Sequence, residues 1–205
     1  MFEKSKIELQ KCELIYNDET HTYKTQDGLI IPCVSDIIKP ITDYVYGGIG
    51  NLTMAQERGT MVHLAIELYD NVGVETIPEE YQNYFEAYKK FLEENDKKYK
   101  LIANEYMVYC TGLGYCGTID KILEDKETGE IIIVDNKTSH KIEYLPLKLQ
   151  LAGYKFALES LGVKVAGTKV LHLKSDKTFE FEDIDSNLKM FMNCLQILNY
   201  CKGEK

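Results

Sequence analysis

Two periodicities in the hydrophobic pattern divide the chain into strand-like and helix-like segments. Short apolar runs between turn residues predict strands in the central and C-terminal parts of the chain. These strands lie at 102–110, 115–124, 130–134, 167–173 and 178–182. Apolar residues that recur every three or four positions predict amphipathic helices. The first of these helices begins at 51 or 53 and runs to about 70. The others lie at 79–95, 145–161 and 187–201.

Turn residues between the strands indicate how the strands connect. The segments 111–114 and 125–129 are rich in turn formers, so each closes a hairpin. The helix at 145–161 carries Pro146 in its first turn and ends at Gly162, and it links two strands by a crossover. The predicted fold class is therefore α/β: a mixed central β-sheet, made of an antiparallel meander plus a crossover strand, flanked by helices.

The N-terminal part of the chain has a pattern of its own. Residues at about 6–31 alternate in polarity between turn signals, which predicts a small β-meander. A short helix follows, which Ser35 or Asp36 would cap and Pro40 would end. The glycine-rich, aromatic segment 44–50 is typical of a loop.

Pairing arithmetic brings three acidic residues together. Antiparallel pairing about the second hairpin turn gives residue numbers that sum to about 254 or 255, which places Asp120 opposite Val134 or Asp135. Pairing about the first turn sums to roughly 225 and places Glu105 opposite Asp120. Like charges that face each other across a sheet are destabilising unless something neutralises them. Clustered oxygen ligands predict a hard divalent cation, Mg²⁺ or Mn²⁺.

A lysine and a glutamine join this acidic cluster. Asp135 and Lys137 share one face of their strand, whereas Asn136 points the other way. Gln150 is polar within an otherwise apolar helix stripe, so it needs a buried partner, which the metal site or a phosphate would supply. Carboxylates, a cation and a lysine together fit metal-assisted hydrolysis of a phosphodiester.

Three motifs occur in a fixed order, each on the expected element. They are Gly117-Thr118-Ile119-Asp120, then Asp135-Asn136-Lys137, then Gln150 with Tyr154. This ordered set resembles the PD-(D/E)XK nucleases of the RecB-like exonuclease branch, and implies a restriction-endonuclease-like core. The similarity spans roughly 32–162. It is especially close to the subgroup of the mitochondrial genome maintenance exonuclease and its phage-encoded relatives.

The resemblance implies a role for each residue of these motifs. Asp120 and Asp135 would hold one or two Mg²⁺ or Mn²⁺ ions, with help from Glu105 and the backbone carbonyl of Asn136. Lys137 would position or deprotonate the attacking water and stabilise charge on the phosphate. Gln150 and Tyr154 would hold the lysine or the phosphate backbone.

An additional motif lies on the helix that ends near residue 70. Residues 58–67 match the Arg-Gly-x-x-x-His-x-x-x-Glu signature of the same nuclease group. His63 and Glu67 are four positions apart and project from one helix face. By resemblance His63 is a further metal ligand. Glu67 would orient this histidine or contact water at the metal, and Arg58 would support the site from nearby.

Other residues are candidates for contacts with a nucleic acid strand. Segment 32–38 is similar to an element that lies close to the bound strand in this group, which makes Ser35 a candidate. Tyr44 and Tyr46 are candidates to stack on bases, and the alternative is packing under their loop. Lys141 and Lys148 fall near the proposed site and would line a basic groove. The alternative for these lysines is an ordinary solvated helix face.

Composition limits the classes of function. The net charge of −9 argues against coating of duplex DNA by bulk electrostatics, but a bound cation and a local groove can supply the attraction that a nuclease needs. The resemblance implies a further distinction, because some RecB-like nucleases hold an iron–sulfur cluster on one cysteine before the core and three closely spaced near the C-terminus. Here only Cys194 and Cys201 lie near each other in the C-terminal region, so we expect no cluster. The chain has no long apolar stretch and no signal-peptide core, so we expect a cytoplasmic protein of a bacterium or phage-infected cell, without membrane contact.

These observations predict one domain, 1–205, with the meander at about 6–31 and a helical region at about 41–95. By resemblance the helical region would form an arch through which a free single-stranded DNA end passes. The expected function is a metal-dependent DNA exonuclease with little sequence specificity, and a partner in recombination or repair stays open. The alternatives are an endonuclease and a catalytically silent nucleic-acid-binding or regulatory protein on the same fold.

Overall fold

The computed structural model describes residues 1–17, 20–47 and 52–203, with no side chains described for Leu52 and Thr53. In chain order the strands are β1 (Ile15–Asn17), β2 (Thr22–Lys24), β3 (Ile30–Ile31), β4 (Tyr99–Cys110), β5 (Tyr115–Asp125), β6 (Ile131–Lys137), β7 (Val165–Leu173) and β8 (Phe179–Asp183). The helices are α1 (Val34–Tyr46), α2 (Leu52–Val72), α3 (Gln82–Asn95), α4 (Tyr144–Ser160) and α5 (Leu188–Gly203), and a short 3₁₀ turn, Glu79–Tyr81, leads into α3.

Five strands form the central sheet in the order β4-β5-β6-β7-β8. All neighbours pair antiparallel except β6 and β7, which are parallel and are joined by α4. A parallel pair requires such a crossover, because a short hairpin turn can only reverse the chain. The mixed α/β fold predicted from the sequence is confirmed.

Two hydrophobic cores lie on opposite faces of this sheet. Helices α1, α4 and α5 cover one face, which we call the first face, and α2 and α3 cover the other, which we call the second face. Side chains of β6 alternate between them: Ile133 packs in the first core, whereas Ile132 and Val134 pack in the second.

The register of the sheet follows the arithmetic of its hairpins. Lys121 pairs with Val134 across β5 and β6, and the same lysine pairs with Asn104 across β4 and β5. Both predicted registers are confirmed. Asp120 therefore stands between Glu105 on one neighbouring strand and Asp135 on the other.

The side-chain alternation of β4 and β5 changes phase where these acidic residues lie. Ile119 and Ile122 are three apart, yet both pack in the first core, and Ala103 and Tyr106 pack against that same core from β4. A regular strand places residues three apart on opposite faces. Glu105 lies at this point with a φ of 44°, in the left-handed region that non-glycine residues rarely adopt.

Helix α1 differs from the sequence expectation. Pro40 lies inside the helix, which continues to Tyr46, so the prediction that Pro40 ends it was wrong. Proline removes one backbone hydrogen bond, but Val34, Ile37 and Ile38 are buried in the first core and hold the helix in place. The predicted loop at 44–50 is likewise wrong over its first three residues, and 48–50 lie outside the described residues.

The start of α1 also differs in detail. Its N-cap is Cys33, and Asp36 lies at the third helical position, where its carboxylate accepts the backbone N–H of Cys33 at 2.9 Å. Asp36 therefore supports the helix start as the far member of a capping box, and Ser35 lies within the first turn.

The N-terminal strands form a separate antiparallel sheet in the order β1-β2-β3. This small sheet is tied to the central one, because the hydroxyl groups of Tyr23 and Thr118 lie 2.8 Å apart. Just after β3, the backbone of Cys33 also forms an isolated β-bridge with that of Cys116 on β5, and both thiols are free. Among the described helices, none combines the length and the apolar character needed to cross a membrane.

Candidate metal centre

Polar side chains from α2, β5 and β6 line one cleft of about 1000 Å³. Helix α2 contributes His63, β5 contributes Asp120, and β6 contributes the run Asp135-Asn136-Lys137. Glu105 reaches the same point from β4. The phase change in β4 and β5 matters here, because it is the place where Glu105 and Asp120 face each other across the sheet.

His63, Glu105 and Asp120 form a compact ligand set. One potential ligand atom from each residue lies within 4.8 Å of the others. Nδ1 of His63 is 3.5 Å from Oε1 of Glu105 and 3.7 Å from Oδ1 of Asp120. Nε2 of the same ring donates to the carbonyl oxygen of Asn136 at 3.1 Å, which leaves Nδ1 directed at the two carboxylates.

Asp135 is buried beside this set and is poorly satisfied. Neither of its carboxylate oxygens has a well-directed hydrogen bond within the described part of the chain, and the same is true of the buried side-chain oxygen of Asn136. The nearest positive group is Nζ of Lys137, 2.6 Å from Oδ2. Buried polar atoms almost always have a partner, so the oxygens of Asp135 fit a cation that accepts oxygen ligands.

Asp120 is held in place by the backbone of the neighbouring strand. Its Oδ2 accepts the N–H of Asn136 at 2.7 Å, while its Oδ1 faces His63. Burial raises the pKa of Asp120, and the charge of His63 works against that shift. One oxygen is thus fixed by the protein, and the other is presented to the ligand set.

The electrostatics of the cleft are dominated by its carboxylates. Burial disfavours the charged form of His63, but the negative charges of Asp120 and Glu105 outweigh burial and raise its pKa to about 9. Burial raises the pKa of Asp135 to about 6, although Lys137 opposes this. A cation in the cleft would therefore compete with a proton for His63.

A chain of hydrogen bonds fixes Lys137. Its Nζ donates to Oε1 of Gln150 at 3.2 Å, and Nε2 of Gln150 donates to the hydroxyl of Tyr154 at 3.2 Å. Gly117 makes room for Tyr154, because a Cβ at position 117 would lie 2.6 Å from the tyrosine ring. The structure therefore brings Lys137, Gln150 and Tyr154 together in the order that the sequence motifs suggested.

Arg58 lies at one end of the cleft, and Glu67 lies apart from His63. The Glu67 side chain makes no described contact with His63, whose ring is oriented by the carbonyl of Asn136. The backbone carbonyl of Glu67 accepts a hydrogen bond from the Asn104 side chain at 3.5 Å. Arg58, the chain's single arginine, donates from Nε to the Thr138 hydroxyl at 3.4 Å.

The guanidinium of Arg58 also lies over an aromatic ring. Its central carbon is 5.5 Å from the centroid of Tyr84. Arg58 lines both the metal cleft and a second cavity of about 610 Å³, which also borders on Ser139 and Ile142. The arginine therefore stands where the two cavities meet.

The remaining predicted contact residues are divided between cleft and surface. Ser35 and Tyr46 line the metal cleft. Tyr44 is 87% exposed on α1 and does not line it. Lys141 pairs with Glu143 at 3.1 Å and lines the second cavity, and Lys148 lies on α4 outside the walls of both.

Sequence reasoning missed a second group of charged residues behind the metal centre. Lys121, Asp70 and Tyr88 are fully buried and bonded to one another. The signal was a lysine directly before the apolar pair Ile122-Leu123 on a strand predicted to be central, where a strand covered on both faces offers no solvent to a charge.

Comparisons with known proteins give a partial likeness in fold. No family model and no curated protein matches the chain. Among solved structures, SSO0001 is 14% identical, with 81% of this chain and 71% of that chain covered and a TM-score of 0.40. An alkaline exonuclease from Laribacter hongkongensis is 13% identical, with 73% of this chain and 85% of that chain covered and a TM-score of 0.38. At these TM-scores the likenesses say nothing about function. The function proposed below is based on the geometry of the cleft.

Proposed function

We propose that the chain is a metal-dependent deoxyribonuclease, folded as one nuclease domain, that hydrolyses phosphodiester bonds at single-stranded DNA ends. The observation that carries this proposal is the cleft itself. His63, Glu105 and Asp120 offer three ligand atoms within 4.8 Å, beside a buried Asp135 whose oxygens have no well-directed hydrogen bond among the described residues. A lysine held by Gln150 completes the arrangement.

The donor set fits Mn²⁺ or Mg²⁺. Carboxylate oxygens from Glu105, Asp120 and Asp135, with the carbonyl of Asn136, are hard ligands, and His63 adds one imidazole nitrogen. When bound, such a cation polarises the scissile phosphate and lowers the pKa of a coordinated water from about 15.7 toward neutrality. The protein's own contribution is to hold the ligands in place and to position the reactants.

Lys137 acts on the reacting groups as a cation. Burial disfavours its charge, but Asp135 and Asp120 outweigh burial and raise its pKa, so the group is an ammonium at neutral pH. An ammonium donates hydrogen bonds to the attacking water and to a phosphate oxygen, and stabilises the negative charge that develops there. Gln150, itself held by Tyr154, keeps this ammonium in position.

The walls of the cleft support a path for a bound DNA strand. Ser35 and Tyr46 form part of the wall from α1, and Arg58 stands at the passage into the second cavity. No described carboxylate pairs with Arg58, so its planar fork is available to a phosphate. Contacts of this kind are made to the backbone of a strand and not to base edges, which fits low sequence specificity.

The test compares linear and circular single-stranded DNA, both uniformly labelled, in the presence of Mn²⁺, of Mg²⁺ or of excess chelator. We expect the linear DNA to be degraded with either metal, the circular DNA to survive, and the chelator to stop the reaction. Cutting of the circle would make the enzyme an endonuclease. Binding of DNA without cutting under any condition would overturn the proposal in favour of a silent binding protein.

A further inference from the structure

A buried ionic network lies directly behind the metal centre, on the second face of the sheet. Nζ of Lys121 forms a salt bridge with Asp70 and also donates to the hydroxyl of Tyr88 at 2.8 Å. The same hydroxyl lies 2.7 Å from each carboxylate oxygen of Asp70. All three side chains have no exposed surface.

The network joins two of the elements that carry metal-ligand candidates, α2 and β5. Lys121 directly follows Asp120 on β5, and Asp70 lies on α2 seven residues after His63. Seven residues make about two helical turns, so His63 and Asp70 project from nearly the same helix face. One face of α2 therefore holds two successive residues of β5.

The bonds of Lys121 to α2 and α3 lie where the side-chain alternation of β5 changes phase. Ile119 packs in the first core, and regular alternation would direct Lys121 to the same face. Lys121 instead faces Asp70 and Tyr88 among the helices of the second face. The side-chain alternation of β5 thus breaks at Asp120, and the bonds of Lys121 fix the side chain that follows this break.

A buried ion pair is seldom the most stable way to fill a core, since well-packed apolar residues of similar volume often do as well or better. A charged pair does, however, accept only one pairing partner and one geometry. An apolar side chain at position 121 would pack in the second core without fixing the position of α2 relative to β5.

We propose that Lys121, Asp70 and Tyr88 are positioning residues, which set the phase change of β5 and the placement of α2 so that Asp120 and His63 meet at the metal centre. This inference rests on the metal centre of the proposed function. It predicts that the network controls metal affinity separately from folding.

The decisive variant removes both charges at once. Lys121→Met combined with Asp70→Asn leaves no unpaired buried charge, so the fold is retained. We expect Mn²⁺ binding, measured by titration calorimetry well below the melting temperature, to weaken by about 10-fold or more, as for other groups that orient metal ligands. The spectrum of bound Mn²⁺ in electron paramagnetic resonance should change as well, because the ligand geometry differs.

Two further variants keep the test informative. Tyr88→Phe removes only the shared hydroxyl and should weaken Mn²⁺ binding several-fold, which decides the matter if the double variant does not fold. Thr168→Val is the matched control, because it removes another buried hydroxyl that donates to the carbonyl of Ile184 at 2.6 Å on the far side of β6. It should bind Mn²⁺ as the parent does.

The outcomes separate the inference from the function on which it rests. A parent protein that binds no Mn²⁺ overturns the metal centre and the inference with it. A parent that binds Mn²⁺, with folded network variants that bind it equally well, overturns the inference alone. An equal loss of affinity in Thr168→Val would also overturn it, since any loosening of the core would then suffice.

Discussion

Two aspartate–lysine pairs have their lysines on adjacent strands, Lys121 on β5 and Lys137 on β6, and the surroundings of the two pairs differ. Asp70 is paired with Lys121 and receives a hydroxyl from Tyr88, so its oxygens are satisfied within the protein. Asp135 lies 2.6 Å from Lys137, yet its oxygens have no well-directed hydrogen bond among the described residues, and both residues line an open cleft.

The difference shows how one pair of residue types serves two purposes. A closed pair is complete in the folded chain, so removing one member leaves the other as an uncompensated buried charge. An open pair is incomplete until a ligand binds, so burying it lowers the stability of the ligand-free fold. Mutations in the two pairs should therefore separate activity from stability.

The largest expected effect is on catalysis in the open pair. Asp135→Asn should lower the rate of DNA cleavage by about 10³-fold or more. The variant removes a charged ligand of the cation, and that cation would compensate the negative charge that develops on the phosphate. The free energy of unfolding should be unchanged or higher, since the poorly satisfied carboxylate is gone. Single-turnover cleavage and urea denaturation measure the two quantities, and a less stable variant with full activity would contradict the comparison.

The second effect concerns the cation of the open pair. Lys137→Gln should slow cleavage by about 10²-fold, because the positive charge near the phosphate is lost while the metal ligands stay in place. Mn²⁺ affinity should fall little or rise, which calorimetry measures. Lys126→Gln is the control, because that exposed lysine follows β5 and pairs with Glu3 at 3.0 Å, and neither residue lines the metal cleft. A similar loss of rate in both variants would argue against a specific role of Lys137.

The closed pair should respond in stability. Asp70→Asn leaves Lys121 buried without a counter-charge and should lower the free energy of unfolding by about 3 kcal/mol. The measurement is urea denaturation of the metal-free protein. A loss below about 1 kcal/mol would mean that Lys121 finds another partner or loses its proton, and the network would then be less restrictive than its geometry indicates.

The smallest effect is a pH dependence of metal binding in the open site. Because Asp120 and Glu105 raise the pKa of His63 to about 9, the ring is protonated at neutral pH in the metal-free protein and must lose that proton to ligate. Mn²⁺ affinity should rise by up to about tenfold per pH unit between pH 6.5 and 8.5. In His63→Gln this slope should disappear, and a flat profile in the parent would show that His63 is not a ligand.

Local sequence patterns predicted the residues of the candidate site better than they predicted the elements packed around it. Hairpin turns and antiparallel pairing placed Glu105 and Asp135 opposite Asp120, because register depends only on turn position and on residue count. The helical spacing of Gln150 and Tyr154 likewise fixed their common face. The same local rules failed for α1, where burial of Ile37 and Ile38 carries the helix past Pro40.

What only the tertiary structure decided is the break in alternation at Asp120 and the closure of the Lys121 network. Sequence periodicity assumes a regular strand, so it cannot show where packing against α2 forces the strand out of phase. Nor can it tell a closed pair from an open one, because Asp70 and Lys121 are 51 residues apart and meet only when helix and sheet pack together. The sequence by itself determined which groups could gather, and the packing of two helices on one sheet face decided which of them were left free to bind.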